Sequence, residues 1–107
     1  MQCLYVPETI NGISVTGFES GVFNNNRIIE LTLPKTIKEI PENAFSKNTA
    51  LEYISAEGVT VVCDSAFFYS KLRYAELPNA KELGELSFAR IKTFLKGDFS
   101  SVEKINT

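Results

Sequence analysis

Histidine is absent from this 107-residue sequence, tryptophan is absent too, and cysteine occurs only twice, at Cys3 and Cys63. Without an imidazole no Ser-His-Asp or Cys-His site can be assembled, and the commonest transition-metal ligand is missing. Two thiols are too few for a zinc site built from four. An excess of either charge is lacking as well. Eleven basic and 13 acidic side chains leave a net charge of −2, which argues against a dedicated nucleic-acid binder. No apolar run approaches the ~18 residues of a spanning helix, so membrane insertion is not expected. The stretch Met1-Gln2-Cys3-Leu4-Tyr5-Val6-Pro7-Glu8 has no basic n-region and breaks at Pro7, so no signal peptide is expected in the given chain. What remains is ordinary globular material, 44% hydrophobic and 22% charged, read as one domain over residues 1–107.

That material is periodic. Val22-Phe23, Ala44-Phe45, Ala66-Phe67 and Ser87-Phe88 each set a small or β-branched residue before a phenylalanine, at spacings of 22, 22 and 21. Five residues before each Phe stands Phe18, Ile40, Val62 or Leu83, and three before it Ser20, Glu42, Asp64 or Glu85. A second motif keeps the same frame: Leu31-Thr32-Leu33-Pro34 matches Ala75-Glu76-Leu77-Pro78 and Leu4-Tyr5-Val6-Pro7. Ile54-Ser55-Ala56-Glu57 and Phe94-Leu95-Lys96-Gly97 take the equivalent places, and Ile28, Leu51, Leu72 and Ile91 precede four of these segments. Apolar pairs with two residues between them follow: Ile10/Ile13, Ile37/Ile40, Val59/Val62, Ala80/Leu83 and Phe99/Val102. The repeats run over about 4–30, 31–53, 54–74 and 75–93, with a partial fifth over 94–107.

The pattern specifies one coil of a solenoid. Alternation in L-x-L puts two apolar side chains on one face of a short strand, and proline then removes a ladder donor. A spacing of three, as in Ile37-Lys38-Glu39-Ile40, suits a second short extended segment. Pro41-Glu42-Asn43-Ala44-Phe45 reads as a single helical or 3₁₀ turn that returns Phe45 to the interior. No unit can bury its apolar face alone, so four to five coils stack on a shared core. Equivalent strands then lie parallel, roughly 4.8 Å apart, with right-handed connections. One phenylalanine per coil is read as core and not as an aromatic ligand box, and Leu31, Leu33, Leu51, Ile54, Leu72 and Leu77 likewise.

These residues resemble the BspA-type leucine-rich repeat, whose pattern is L-x-x-I-x-L-P-x-x-V-x-x-I-G-x-x-A-F. Leu31-Thr-Leu-Pro-Lys-Thr-Ile-Lys-Glu-Ile-Pro-Glu-Asn-Ala-Phe45 carries the resemblance best. Glycine after the second pair survives only as Gly84, Pro41 and Cys63 standing in the other places, and the cysteine that often follows Phe in the family is absent, with Lys47-Asn48 and Tyr69-Ser70 in its place. The resemblance implies a β-rich leucine-rich-repeat solenoid. It also implies a non-enzymatic adhesion or protein-binding role and a cell-surface or secreted location, with no cofactor.

Other constellations resolve into architecture. Glu82 and Glu85 recur two coils earlier as Glu39 and Glu42, which fits solvated loop edges better than acid/base pairs. Gly12, Gly17 and Gly21 match no phosphate-loop spacing and are assigned to turns in a longer first repeat. Asn24-Asn25-Asn26 reads as a loop, and no N-x-S/T sequon occurs. Cys63, beside an inward pair, is taken as a small buried thiol. Cys3 lies more than two coils away, too far for a disulfide.

The candidate binding surface is the outer face of the first strand. If Leu31 and Leu33 point inward, then Glu30 and Thr32 point out, followed rung by rung by Tyr53 and Ser55, Tyr74 and Glu76, and Thr93 and Leu95. Tyr53 and Tyr74 become stacked neighbours. Such a pair stabilises a sheet by roughly 0.2–1 kcal/mol on its own, and tyrosine is also enriched where proteins bind one another. The leading function is a module that docks a protein or peptide on this face. The alternative is a spacer or stacking segment of a larger repeat protein, with self-association through solenoid ends that lack polar caps.

Overall fold

The computed structural model describes residues 2–21, 23, 27–94 and 96–105. Val22, Asn24–Asn26 and Leu95, which figured in the repeat, loop and face assignments above, lie outside the described residues. Five strands, β1 (Gln2–Tyr5), β4 (Ile28–Leu33), β6 (Tyr53–Ala56), β8 (Tyr74–Glu76) and β10 (Lys96–Asp98), form one parallel sheet in the order β1-β4-β6-β8-β10. Four shorter strands, β5 (Glu39–Ile40), β7 (Val61–Val62), β9 (Glu82–Leu83) and β11 (Lys104–Ile105), form a second parallel sheet. The chain winds through about three complete turns, against the four to five expected.

The core is the set of inward positions the repeat dictates. Leu31, Leu33, Ile54, Ala56 and Ala75 come from the first sheet, Leu77 from just past the end of β8, and Ile40, Val62 and Leu83 from the second sheet. Phe45 and Phe67 are fully buried at 0% exposure. Their rings stack 5.2 Å apart at 7°, continuing to Phe23 at 6.1 Å and Phe88 at 5.0 Å. Edge-on rings cover both ends of this column, Phe18 against Phe23 at 61° and Phe99 against Phe88 at 74°. A buried Phe stabilises by roughly 1.5–3 kcal/mol, so the column is a large share of the folding free energy.

The third side of each coil departs from expectation. No helical or 3₁₀ turn forms among the described residues. Alternate backbone donors divide instead between two partners. Ala44, Ser46 and Asn48 N–H groups bond back three residues to Pro41, Asn43 and Phe45, while those of Asn43, Phe45 and Lys47 reach Asp64, Ala66 and Phe68 of the next coil. Residues 65–70 repeat the arrangement. Helical bonding would turn the Phe45 and Lys47 donors back along the chain to residues 41 and 43 and take them from the neighbouring coil. The geometry requires left-handed backbone twice per coil, at Asn43, Ser65 and Leu86 (φ 57, 56 and 59°) and at Lys47, Tyr69 and Arg90 (φ 60, 60 and 58°). Between the two sheets Gly58 passes so close to the neighbouring coil that an added Cβ would lie 2.1 Å from the Lys35 carbonyl oxygen.

Among the described residues the first repeat adds no strand to the second sheet. Ile10 and Ile13, expected to behave like Ile37 and Ile40, pair with each other across an antiparallel hairpin of β2 (Thr9–Ile10) and β3 (Ile13–Ser14). Asn11 and Gly12 both have positive φ (52 and 80°), the pair of left-handed residues that a type I′ turn demands. The two isoleucines remain 55% and 73% exposed.

Candidate functional site

Strand alternation sets the outer face of the long sheet. Register places Cys3, Glu30, Tyr53, Tyr74 and Lys96 in one row, and Tyr5, Thr32, Ser55, Glu76 and Asp98 in the next. Glu30, Thr32, Tyr53, Ser55, Tyr74 and Glu76 therefore share one surface, as their sequence positions suggested. Tyr53 and Tyr74 are directly opposed, with ring centroids 6.4 Å apart and planes at 51°. Tyr74 is 39% exposed and Tyr53 is half-buried.

Thr93 is not on this face. The fifth rung begins three residues later, where Lys96 pairs with Tyr74, and Thr93 instead donates its hydroxyl to the Leu72 carbonyl at 2.9 Å. Rungs Glu30, Tyr53 and Tyr74 lie 23 and 21 residues apart, so the 19 residues from Tyr74 to Thr93 are too few to close the perimeter. The same shift puts Val102, not Phe99, in the place of Ala80, since its N–H bonds to the Phe99 carbonyl as Ala80 bonds to Leu77. Gly97 takes the inward position opposite Ala75, and the Phe99 ring fills the space a Cβ would need, 2.0 Å from that point.

Sequence reasoning missed Cys3, Tyr5, Lys96 and Asp98 on this surface. The match of Leu4-Tyr5-Val6-Pro7 to Leu31-Thr32-Leu33-Pro34 was sufficient to place the first two, since Leu4 does pair with Leu31. A hollow of about 640 Å³ opens beside the tyrosine pair, lined by Tyr53, Tyr74, Glu76, Lys96, Asp98 and Phe99 among others. A smaller one lies across Tyr53, next to Tyr5 and Ser55. A hydrogen bond to the Glu76 carboxylate, with burial second, pushes the Tyr53 hydroxyl up from 10.0 to about 12. Cys3 donates its thiol to Glu30 at 3.2 Å, and its pKa is raised chiefly by that bond.

Cys63 is a correction. It follows the inward Val62 and so points outward, half-buried, with its thiol 2.7 Å from a Glu39 carboxylate oxygen. Burial first, and then the hydrogen bond to Glu39, push it from 9.0 to about 12. Its surroundings are a hollow whose rim carries Glu39, Glu42, Asp64 and Glu82. Both cysteines are free thiols. Among the described residues no three His, Cys, Asp or Glu side chains converge as a metal would require, and no helix is long and apolar enough to cross a membrane.

Parallel rungs of leucine, isoleucine and valine stacked on a phenylalanine column define a leucine-rich-repeat solenoid. The family model for the BspA type leucine rich repeat region matches residues 2–95 in six copies. The chain belongs to that family. Neither a curated protein nor a solved structure matches it.

Proposed function

We propose that this chain is a non-enzymatic protein-interaction or adhesion module that docks a protein or peptide on the outer face of its long sheet. The observation carrying this reading is the Tyr53–Tyr74 pair, two half-open rings on adjacent rungs beside a hollow. Glu30, Thr32, Ser55 and Glu76 surround them as a polar rim. Aromatic anchors ringed by polar groups are the arrangement that concentrates binding energy in protein interfaces. Family membership supports a surface or secreted setting, since proteins of this type are generally surface-associated.

The test is selection of peptides against the folded domain from a random display library, followed by titration of the enriched peptides. The combined Tyr53→Ser and Tyr74→Ser variant should bind at least about tenfold more weakly, with an unchanged circular dichroism spectrum. Affinity should vary little with salt, because Glu30, Glu76 and Asp98 share the face with the single cation Lys96. Undiminished binding moves the site elsewhere. Collapse of the fold makes the pair structural and favours a spacer segment without a ligand.

A further inference from the structure

The edge of the solenoid formed by the ends of the third-side turns collects positive charge that the overall composition conceals. Lys47, Lys71, Arg90 and Lys92 surround a hollow of about 500 Å³, together with Thr49, Tyr69 and Ser70. Four of the chain's 11 cations thus meet at one place where no carboxylate lines the wall. None of the four takes part in an ion pair among the described residues, where Lys35–Glu8 and Arg73–Glu52 are the pairs formed. Tyr69 stands among them 52% exposed, braced edge-on by Phe68 at 5.7 Å and 76°. Its backbone is pinned to the next coil by the bond from its N–H to the Ala89 carbonyl.

We propose that this edge binds a sulfated or otherwise anionic oligosaccharide. The solenoid sets the spacing: Lys47 and Arg90 occupy the same position two coils apart, and Lys71 and Lys92 occupy neighbouring coils, so cations recur about every 4.8 Å over roughly 10 Å. Lysine stems and the tyrosine face give the hollow apolar walls on which the C–H face of a sugar ring can lie, while the charged heads meet its anionic groups. Its volume is within the range of small-ligand sites. A second copy of the chain is the poorer occupant. The acidic surface it would offer, Glu39, Glu42, Asp64 and Glu82, itself lines a hollow, and two concave surfaces do not mate. Exposed ion pairs contribute little each, whereas a dense polyanion also releases counterions on binding. A nucleic-acid strand is poorer too, since four cations and one aromatic ring over so short a track fall below what strand-binding grooves provide.

The experiment is titration calorimetry of the folded domain with a heparin hexasaccharide. Binding should weaken about 15–60-fold between roughly 50 and 200 mM NaCl, as expected for two to three released counterions. Lys71 and Lys92 carry no left-handed φ, so K71E/K92E preserves the backbone, and it should lose at least about tenfold in affinity. K38E/K81E makes the same charge change at residues outside the hollow and should lose less than about threefold. Tyr69→Asn, a residue that tolerates φ near 60°, should weaken the hexasaccharide several-fold and leave inorganic polyphosphate unchanged. Four results overturn the proposal: no binding at low salt, equal loss in both double variants, tighter binding of a short oligothymidylate than of the hexasaccharide, or a dimer in sedimentation that K71E/K92E dissolves.

Discussion

The hairpin at Thr9–Ser14 and the coils from Ile28 onward are made from the same local ingredients and end in opposite arrangements. Both set isoleucines three apart, and both place residues in the left-handed region. At Asn11 and Gly12 the two left-handed residues are consecutive, and the chain reverses. In the coils they are four apart, at Asn43 and Lys47 or Ser65 and Tyr69, and the chain turns two corners without reversing. Hydrophobic spacing therefore does not decide whether a segment winds or folds back. What decides is whether the two residues inside the pair are left-handed: Asn11 and Gly12 are, and Lys38 and Glu39 are not.

The largest expected effect separates the two regions by stability. Phe45→Ala removes a ring from the buried column and should cost on the order of 3–5 kcal/mol in urea unfolding, a large part of what a small domain has. Ile13→Ala, at a position 73% exposed on the hairpin, should cost under about 0.5 kcal/mol. Comparable costs would mean that the hairpin is packed as tightly as the coils.

A smaller effect probes the left-handed positions directly. Leu86 holds φ 59° while half exposed, in the column where an earlier coil has Asn43. A residue with a Cβ is strained there by about 1–2 kcal/mol, and asparagine much less. Leu86→Asn should therefore raise the melting temperature by a few degrees, whereas Asn11→Leu in the hairpin should lower it. A fall on Leu86→Asn would show that its side chain packs in a way that outweighs the strain.

The smallest effect is a pH dependence carried chiefly by the coils and not by the hairpin. The Cys63 thiol and the Tyr53 hydroxyl both rise to about 12 on folding, from 9.0 and 10.0. The folded chain then keeps protons that the unfolded chain releases, so stability is full below about pH 9 and falls as pH rises toward 12. Cys63→Ser and Tyr53→Phe should each flatten that decline in melts recorded across the interval. A steeper decline in either variant would reverse the assignment.

Much of this was legible in the sequence, for a physical reason. Burial on three sides imposes a 21–23-residue period, and that period by itself locates Phe45, Leu31 and Ile54 in the core. It also put Tyr53 opposite Tyr74, because register follows directly from period. The failures occurred where period is not the controlling variable. Asn11-Gly12 announces a hairpin through turn chemistry, and an isoleucine pair in the expected frame obscured it. Thr93 was misplaced because matching Phe94 to Leu31 fits a local motif but leaves too little chain to close a coil. The Pro41–Phe45 turn suggested a helix since proline and a following Phe suit one, yet bonding between coils claimed the donors. The cationic edge was invisible for a different reason. Lys47, Lys71, Arg90 and Lys92 are scattered along the chain, and only the coil brings them together.

Most hydrogen bonds between coils join residues 20 to 23 positions apart, as from Asn43 to Asp64, Ser65 to Glu85 and Lys96 to Arg73. That separation is a property of the perimeter and does not grow when coils are added. Folding can accordingly spread from any coil to its neighbour, each step closing a loop of the same modest length. Duplication or loss of a whole unit such as residues 54–74 returns every remaining strand to an equivalent neighbour, while one residue more or less is taken up at the turns, as the spacings of 23, 21 and 22 between successive rungs show. Large changes in the length of this protein are thereby quantised, with one whole coil as the step that preserves every pairing.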